Sequence, residues 1–137
     1  VVKEEFMATS QRGEASAGLP GTPRRVLIAD DSAVIQQRLC SLIAEMNGLE
    51  VVGVAQDAQE AIQQHKALRP DIVILDIRMP GGGGISALEA IKRHSPETTV
   101  AVLTNYPYVA YRKRCAELGV DYFFDKSTEF EKVKSIF

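Results

Sequence analysis

Ile72-Val73-Ile74-Leu75-Asp76, followed four residues later by Pro80 and then by the run Gly81-Gly82-Gly83-Gly84, is the most informative stretch of the chain. Four consecutive aliphatic residues without a polar interruption predict a strand covered on both faces, as in a parallel sheet. Pro70 ends whatever helix precedes it, and the aspartate directly after the run puts a carboxylate at the strand's carboxyl end. The same form recurs on both sides. Val26-Leu27-Ile28-Ala29 leads into Asp30-Asp31, Val100-Ala101-Val102-Leu103 into Thr104, and Tyr122-Phe123-Phe124 into Asp125-Lys126. Glu50 to Ala55 supplies one more strand.

Between these runs the apolar period changes from continuous to helical. Ser32 opens a helix whose stripe is Ile35, Leu39, Leu42, Ile43 and Met46, closed by Asn47-Gly48. Asp57 with Glu60 begins a second helix that buries Ala58, Ala61, Ile62 and Leu68. A third follows the glycine run with Ile85, Leu88 and Ile91 inward. A fourth runs from about Pro107 to Leu118 with Tyr108, Tyr111, Cys115 and Leu118 along one side, stopped by Gly119. Thr128 with Glu131 marks a fifth that buries Phe130, Val133 and Ile136. Five strands alternating with five helices over short connections require right-handed crossovers and a parallel sheet flanked by helices, the doubly wound α/β architecture.

At 137 residues the chain holds one domain, with hydrophobic residues at 45% and charged residues at 25%, the balance of a water-soluble globule. A net charge of -2 gives no basic field for nucleic acid. No apolar stretch approaches the roughly 20 residues of a membrane span, and the N-terminus is not that of a signal peptide. A cytoplasmic protein is expected. Residues 1–23, rich in Ser, Gly, Ala, Glu and Pro, are expected to be a flexible tail before a domain of residues 24–137. Cys40 and Cys115 lack zinc or disulfide spacing and are expected to be small buried hydrophobes. His65 and His94 are expected to face solvent, and Arg112-Lys113-Arg114 to form an exposed helix face.

In open parallel sheets the ligand crevice lies beyond the carboxyl ends of the strands. Asp30, Asp31, Asp76, Thr104 and Lys126 all map to that edge. Singly, each aspartate reads as loop or helix-start punctuation and the lysine as a solvated charge. Jointly they form a site. Three crowded carboxylates stay ionised cheaply only around a cation, and an all-oxygen donor set without His or Cys favours magnesium. A lysine and a hydroxyl beside them suit the oxygens of a phosphoryl group transferred to an aspartate nucleophile.

The segments VLIADDS, VILDIRMPGGGGI, VLTNY and DYFFDKS, in that order, resemble the receiver domain of two-component response regulators. The resemblance covers the chain from about Arg25 onward and implies a flavodoxin-like three-layer sandwich with sheet order 2-1-3-4-5. It implies that Asp76 is the phosphoacceptor, that Asp31, Asp30, Asp76 and the main-chain carbonyl of Arg78 hold magnesium, and that Thr104 and Lys126 contact the phosphoryl oxygens. Thr104 and Phe123 would be the switch pair, reshaping the surface of helix four, strand five and helix five. The implied partners are a sensor histidine kinase or histidine phosphotransfer protein and an unidentified downstream protein. The implied state is a stand-alone monomer or a weak phosphorylation-dependent dimer, catalysing only its own phosphorylation and slow dephosphorylation.

Two other readings compete. A haloacid-dehalogenase-type phosphatase wants a second aspartate two residues after the nucleophile, where this chain has Arg78. A degenerate receiver that binds without phosphorylation would be expected to lack part of the acidic set, which is complete here. A receiver fragment of a longer regulator would read identically over these residues. Three positions depart from the family pattern. Ser127 stands where proline is usual, which leaves the isomer of the Lys126–Ser127 bond open. Asn105 is bulkier than the usual residue, and Phe123 lacks a tyrosine hydroxyl. The glycine run, without a following Lys-Ser/Thr pair, is not a P-loop and reads as a mobile loop.

Overall fold

The computed structural model describes residues 21–137, so the first 20 residues of the expected tail lie outside the described residues. Five parallel strands, β1 (Arg24–Ala29), β2 (Leu49–Ala55), β3 (Ile72–Leu75), β4 (Thr99–Thr104) and β5 (Tyr122–Asp125), form one sheet in the order β2-β1-β3-β4-β5. The expected order is therefore observed. The four side chains of β3 are each at most 1% exposed, because layers cover both faces of the sheet. Burying such a side chain is worth roughly 1.5–3 kcal/mol, so the central strands anchor the fold.

Alternation along the strands divides the core. Val26, Ile28, Ile72, Ile74, Ala101 and Leu103 face α1 (Ala33–Ala44) and a C-terminal helix η1 (Phe130–Ile136). Leu27, Ala29, Val73, Leu75, Val100 and Val102 face α2 (Ala58–Leu68), α3 (Gly83–His94) and α4 (Val109–Glu117). This gives the three layers of a flavodoxin-like sandwich. Ser32 caps α1 by accepting from the Ile35 amide, and Asp57 caps α2 by accepting from the Glu60 amide.

Several expectations need correction. The last helix is a 3-10 helix with no side-chain cap. Glu129 precedes it, and its carboxylate turns back to accept from the Asp125 amide instead. Its buried residues are nevertheless Phe130, Val133 and Ile136. Tyr108 is not on a buried helix stripe but precedes α4 and is 56% exposed. Cys115 is buried, whereas Cys40 is only partly so.

His65 is buried, not solvent-facing. Its Nε2 lies 3.1 Å from the Thr98 hydroxyl, and its ring meets that of exposed His94 edge-on at 6.0 Å. Burial, reinforced by the positive charge that His94 can carry, lowers its pKa to about 4.

The glycine run is also more than a loop. α3 begins inside it, at Gly83, and Gly84 is buried with its amide donating to the Ile77 carbonyl at 2.7 Å. A Cβ on Gly84 would lie 1.8 Å from the Asp76 carbonyl oxygen. Only glycine lets the first turn of α3 press against the backbone of Asp76.

Candidate functional site

The strand order reverses between β1 and β3, which places the crevice of a doubly wound sheet between their carboxyl ends. Asp30 and Asp31 follow β1 and Asp76 follows β3. The Asp76 amide donates to the Ala29 carbonyl, so the two strand ends are tied to each other before any side chain is considered. One carboxylate oxygen from each of Asp30, Asp31 and Asp76 lies within 4.8 Å of the others. Asp30 and Asp76 are buried, and Asp31 is exposed at the rim.

Lys126 reaches this cluster from the end of β5. Its Nζ donates to Asp30 Oδ2 at 2.8 Å and to Asp76 Oδ2 at 3.1 Å, with all three side chains nearly excluded from solvent. Asp30 Oδ1 accepts from the Ser32 amide, which fixes the carboxylate at the start of α1. Asp76 Oδ1, by contrast, is buried and has no hydrogen-bond partner among the described residues. An orphaned carboxylate oxygen of this kind costs several kcal/mol unless something fills the space before it.

The electrostatics agree. Burial raises the pKa of Asp30, against the lowering effect of the Lys126 and Ser32 hydrogen bonds, and the charge of Asp76 adds to the rise. Burial alone would lower Lys126. The Asp30 hydrogen bond and the charges of Asp76 and Asp30 overcome it, and the ammonium is held above its ordinary pKa. One fixed positive charge thus faces three carboxylates, an incomplete balance that a divalent cation would complete. The donor set is hard oxygen throughout, and the residues present fit magnesium.

Thr104 ends β4 fully buried. Its hydroxyl accepts from the Tyr106 amide at 3.0 Å, and its carbonyl accepts from the Lys126 amide at 2.7 Å, which links β4 to the lysine. Every site residue expected from the sequence except Phe123 therefore sits at the carboxyl edge. Phe123 is half-buried against the core beneath α4, and the Arg112 guanidinium carbon lies 4.5 Å from its ring centroid. The Arg78 side chain is exposed and lies 4.4 Å from the centroid of the Tyr106 ring. Asn105 accepts from the Ser127 hydroxyl at 3.4 Å, and the Lys126–Ser127 bond is trans.

Sequence reasoning missed Gly84, whose signal is the glycine run itself. A separate groove of about 410 Å³ between α1 and η1, lined by Val34, Arg38, Phe130 and Lys134 among others, holds none of the acidic cluster. Among the described residues, no helix is long and apolar enough to cross a membrane.

Comparison with known proteins places this arrangement. The family model of the response regulator receiver domain matches residues 26–137. The chain is 35% identical over 80 residues to the response regulator GacA of Pseudomonas viridiflava, covering 58% of this chain and 37% of that protein. It is 40% identical over 97 residues to a protein-glutamate methylesterase/protein-glutamine glutaminase of Anaeromyxobacter dehalogenans, covering 71% of this chain and 28% of that one. The chain thus corresponds to only a part, near a third, of such relatives. Among solved structures, the response regulator domain of Thermotoga maritima CheB superimposes with a TM-score of 0.74 at 31% identity, covering 83% of this chain and 90% of that one. A chain of the CheX–CheY–BeF3–Mg2+ complex of Borrelia burgdorferi gives 0.72 at 29% identity, with 83% and 89% covered. With the family matched over residues 26–137 and every strand in the expected order, the chain belongs to the response regulator receiver domains.

Proposed function

We propose that this receiver accepts a phosphoryl group on Asp76 from the phosphohistidine of a sensor kinase or phosphotransfer protein. The observation that carries the reading is the asymmetry of the Asp76 carboxylate: Oδ2 is held by Lys126, while Oδ1 is buried and unpartnered among the described residues. In the transfer, a carboxylate oxygen of Asp76 attacks phosphorus. The phosphorus–nitrogen bond of the donor breaks with its electron pair returning to the imidazole, and an acyl phosphate forms. Lys126 is placed to move its ammonium hydrogen bonds onto the phosphoryl oxygens, and the Thr104 hydroxyl has a proton to give to another.

Asp31, Asp76 and the main-chain carbonyl of Arg78, with Asp30 assisting, would hold magnesium. When bound, the ion neutralises charge shared between the carboxylates and the phosphoryl oxygens. The similarity to a complex that contains BeF3 and Mg2+ supports this assignment. Output follows from the same site. Thr104 is drawn toward the new phosphoryl group, Phe123 turns into the space vacated, and the surface of α4, β5 and η1 changes for a downstream protein.

Incubation with acetyl phosphate and magnesium, followed by intact mass, tests the reading. One phosphoryl adduct is expected, absent in Asp76→Asn and absent after chelation of the metal. If neither acetyl phosphate nor a phosphorylated histidine phosphotransfer protein labels the wild-type chain, the reading fails.

A further inference from the structure

Every polar group of Asp30 is engaged. Its amide donates to the Ala55 carbonyl at 3.0 Å, Oδ1 accepts from the Ser32 amide at 2.9 Å, and Oδ2 accepts from Lys126 at 2.8 Å. The remaining group is the carbonyl, which accepts from Gln36 Nε2 at 2.6 Å. That last bond is not one the helix itself requires, since α1 is capped by Ser32 and the Gln36 amide already donates to the Ser32 carbonyl. Gln36 stands three residues before Leu39 and seven before Ile43, both buried, so its side chain leaves α1 on the face turned to the sheet. It is half-buried there, and a side-chain amide in such a place needs an acceptor. The acceptor is the peptide group that joins Asp30 to Asp31.

The consequence falls on Asp31. Asp30 and Asp76 are buried whereas Asp31 is exposed, and repulsion among like charges drives the exposed carboxylate outward, into water. One of its oxygens nevertheless lies within 4.8 Å of an oxygen of each of the other two. With the Asp30 carbonyl fixed, the planar peptide between the two aspartates cannot turn, and the Cα of Asp31 keeps its place beside the cluster. We propose that Gln36 is a positioning residue of the metal site, a strap from α1 that holds the Asp31 carboxylate where a divalent cation can bridge it to Asp76. This rests on the reading of the three aspartates as a magnesium site. Gln36 supplies no ligand atom and works through the backbone of Asp30.

The test is a magnesium titration of the full chain, without any phosphodonor, followed by the NMR signals of the backbone amides of residues 30–32 and 76. Gln36→Met keeps the length and the helix preference of the side chain and removes its donor. Its apparent Kd for magnesium is expected to rise roughly ten-fold, the size of losing a group that orients a metal ligand. Gln37→Met, on the exposed side of the same helix, is expected to bind as the wild type does. A purely structural role for Gln36 would lower the unfolding midpoint equally with and without magnesium, whereas positioning predicts that the magnesium-dependent part of the stability is lost. Equal affinities in the wild type and Gln36→Met overturn the proposal, as does a Gln37→Met variant as weak as Gln36→Met. A wild-type chain whose amides ignore magnesium sinks the metal reading and the strap with it, a result distinct from equal binding by the two proteins. The Gln36 side-chain amide protons give a readout that needs neither metal nor variant: exchange slower than at Gln37 supports the strap, and equal exchange overturns it.

Discussion

The two ends of the sheet use the same residue types to opposite purpose. At the amino end, Asp71 accepts from the Arg25 amide, and Asp121 accepts from both the Val100 amide and Lys92. Lys92 also donates to the Thr98 carbonyl, and the buried His65 is paired with the Thr98 hydroxyl. These contacts close off strand ends. At the carboxyl end, two of three clustered carboxylates share one lysine, and an oxygen of Asp76 is left without a partner among the described residues. Polar satisfaction, rather than the presence of charge, separates the scaffold from the site. A group left wanting at the end of a strand is one poised for a ligand.

The largest break in this contrast should come from Lys126→Ala. Removing the only cation that contacts Asp30 and Asp76 among the described residues leaves buried carboxylates uncompensated, at a cost of roughly 3 kcal/mol of stability. It also removes a donor to the phosphoryl oxygens, and transfer should fall by roughly 100-fold. Denaturant melts and the acetyl phosphate assay check the two effects separately. If saturating magnesium abolishes the stability loss but not the rate loss, the metal rather than the lysine carries the electrostatic balance of the resting pocket.

Acid should act at the other end. The folded pKa of His65 lies at about 4, below the ordinary value of 6.5 that the unfolded chain keeps. Between those values the unfolded chain binds the extra proton, so stability falls as pH drops from about 6.5 toward about 4, by roughly 3–4 kcal/mol at most. Below that window the group adds no further slope. Glu97 opposes the shift and His94 reinforces it, so the measurement is the difference in pH slope between the wild type and His65→Gln. Equal slopes would place the acid sensitivity elsewhere.

How much of this was legible in the sequence depends on whether a feature has a period. The strands and the edge residues do, since each apolar run ends in its own polar residue and parallel strands end together. His65 was misread from its residue type, although its place three and four positions from Leu68 and Ala61 puts it on the buried stripe of α2. The spacing of Phe130, Val133 and Ile136 by threes is that of a 3-10 helix, but Thr128 and Glu131 looked like a capping box and concealed it. The run Gly81–Gly84 conceals which glycine is sterically required, because composition cannot show that Gly84 meets the Asp76 carbonyl. The contact of Arg78 with Tyr106 joins loops 28 residues apart and leaves no trace in either.

The smallest effect sharpens the contrast most. Asp121 lies at the start of β5, on the edge opposite Asp76, and its carboxylate is 39% exposed. Asp121→Ala strips the Val100 amide of its partner and Lys92 of one of its three acceptors. Because water reaches the position, the expected loss is only about 1–2 kcal/mol. The rate of phosphorylation at Asp76 should not change, since the strands between the two edges remain buried and paired. A carboxylate at the amino edge would then be shown to hold the fold without touching the chemistry. If Asp121→Ala instead altered the transfer rate at unchanged stability, the two ends of the sheet would be coupled through β4, and the division between scaffold and site would have to be redrawn.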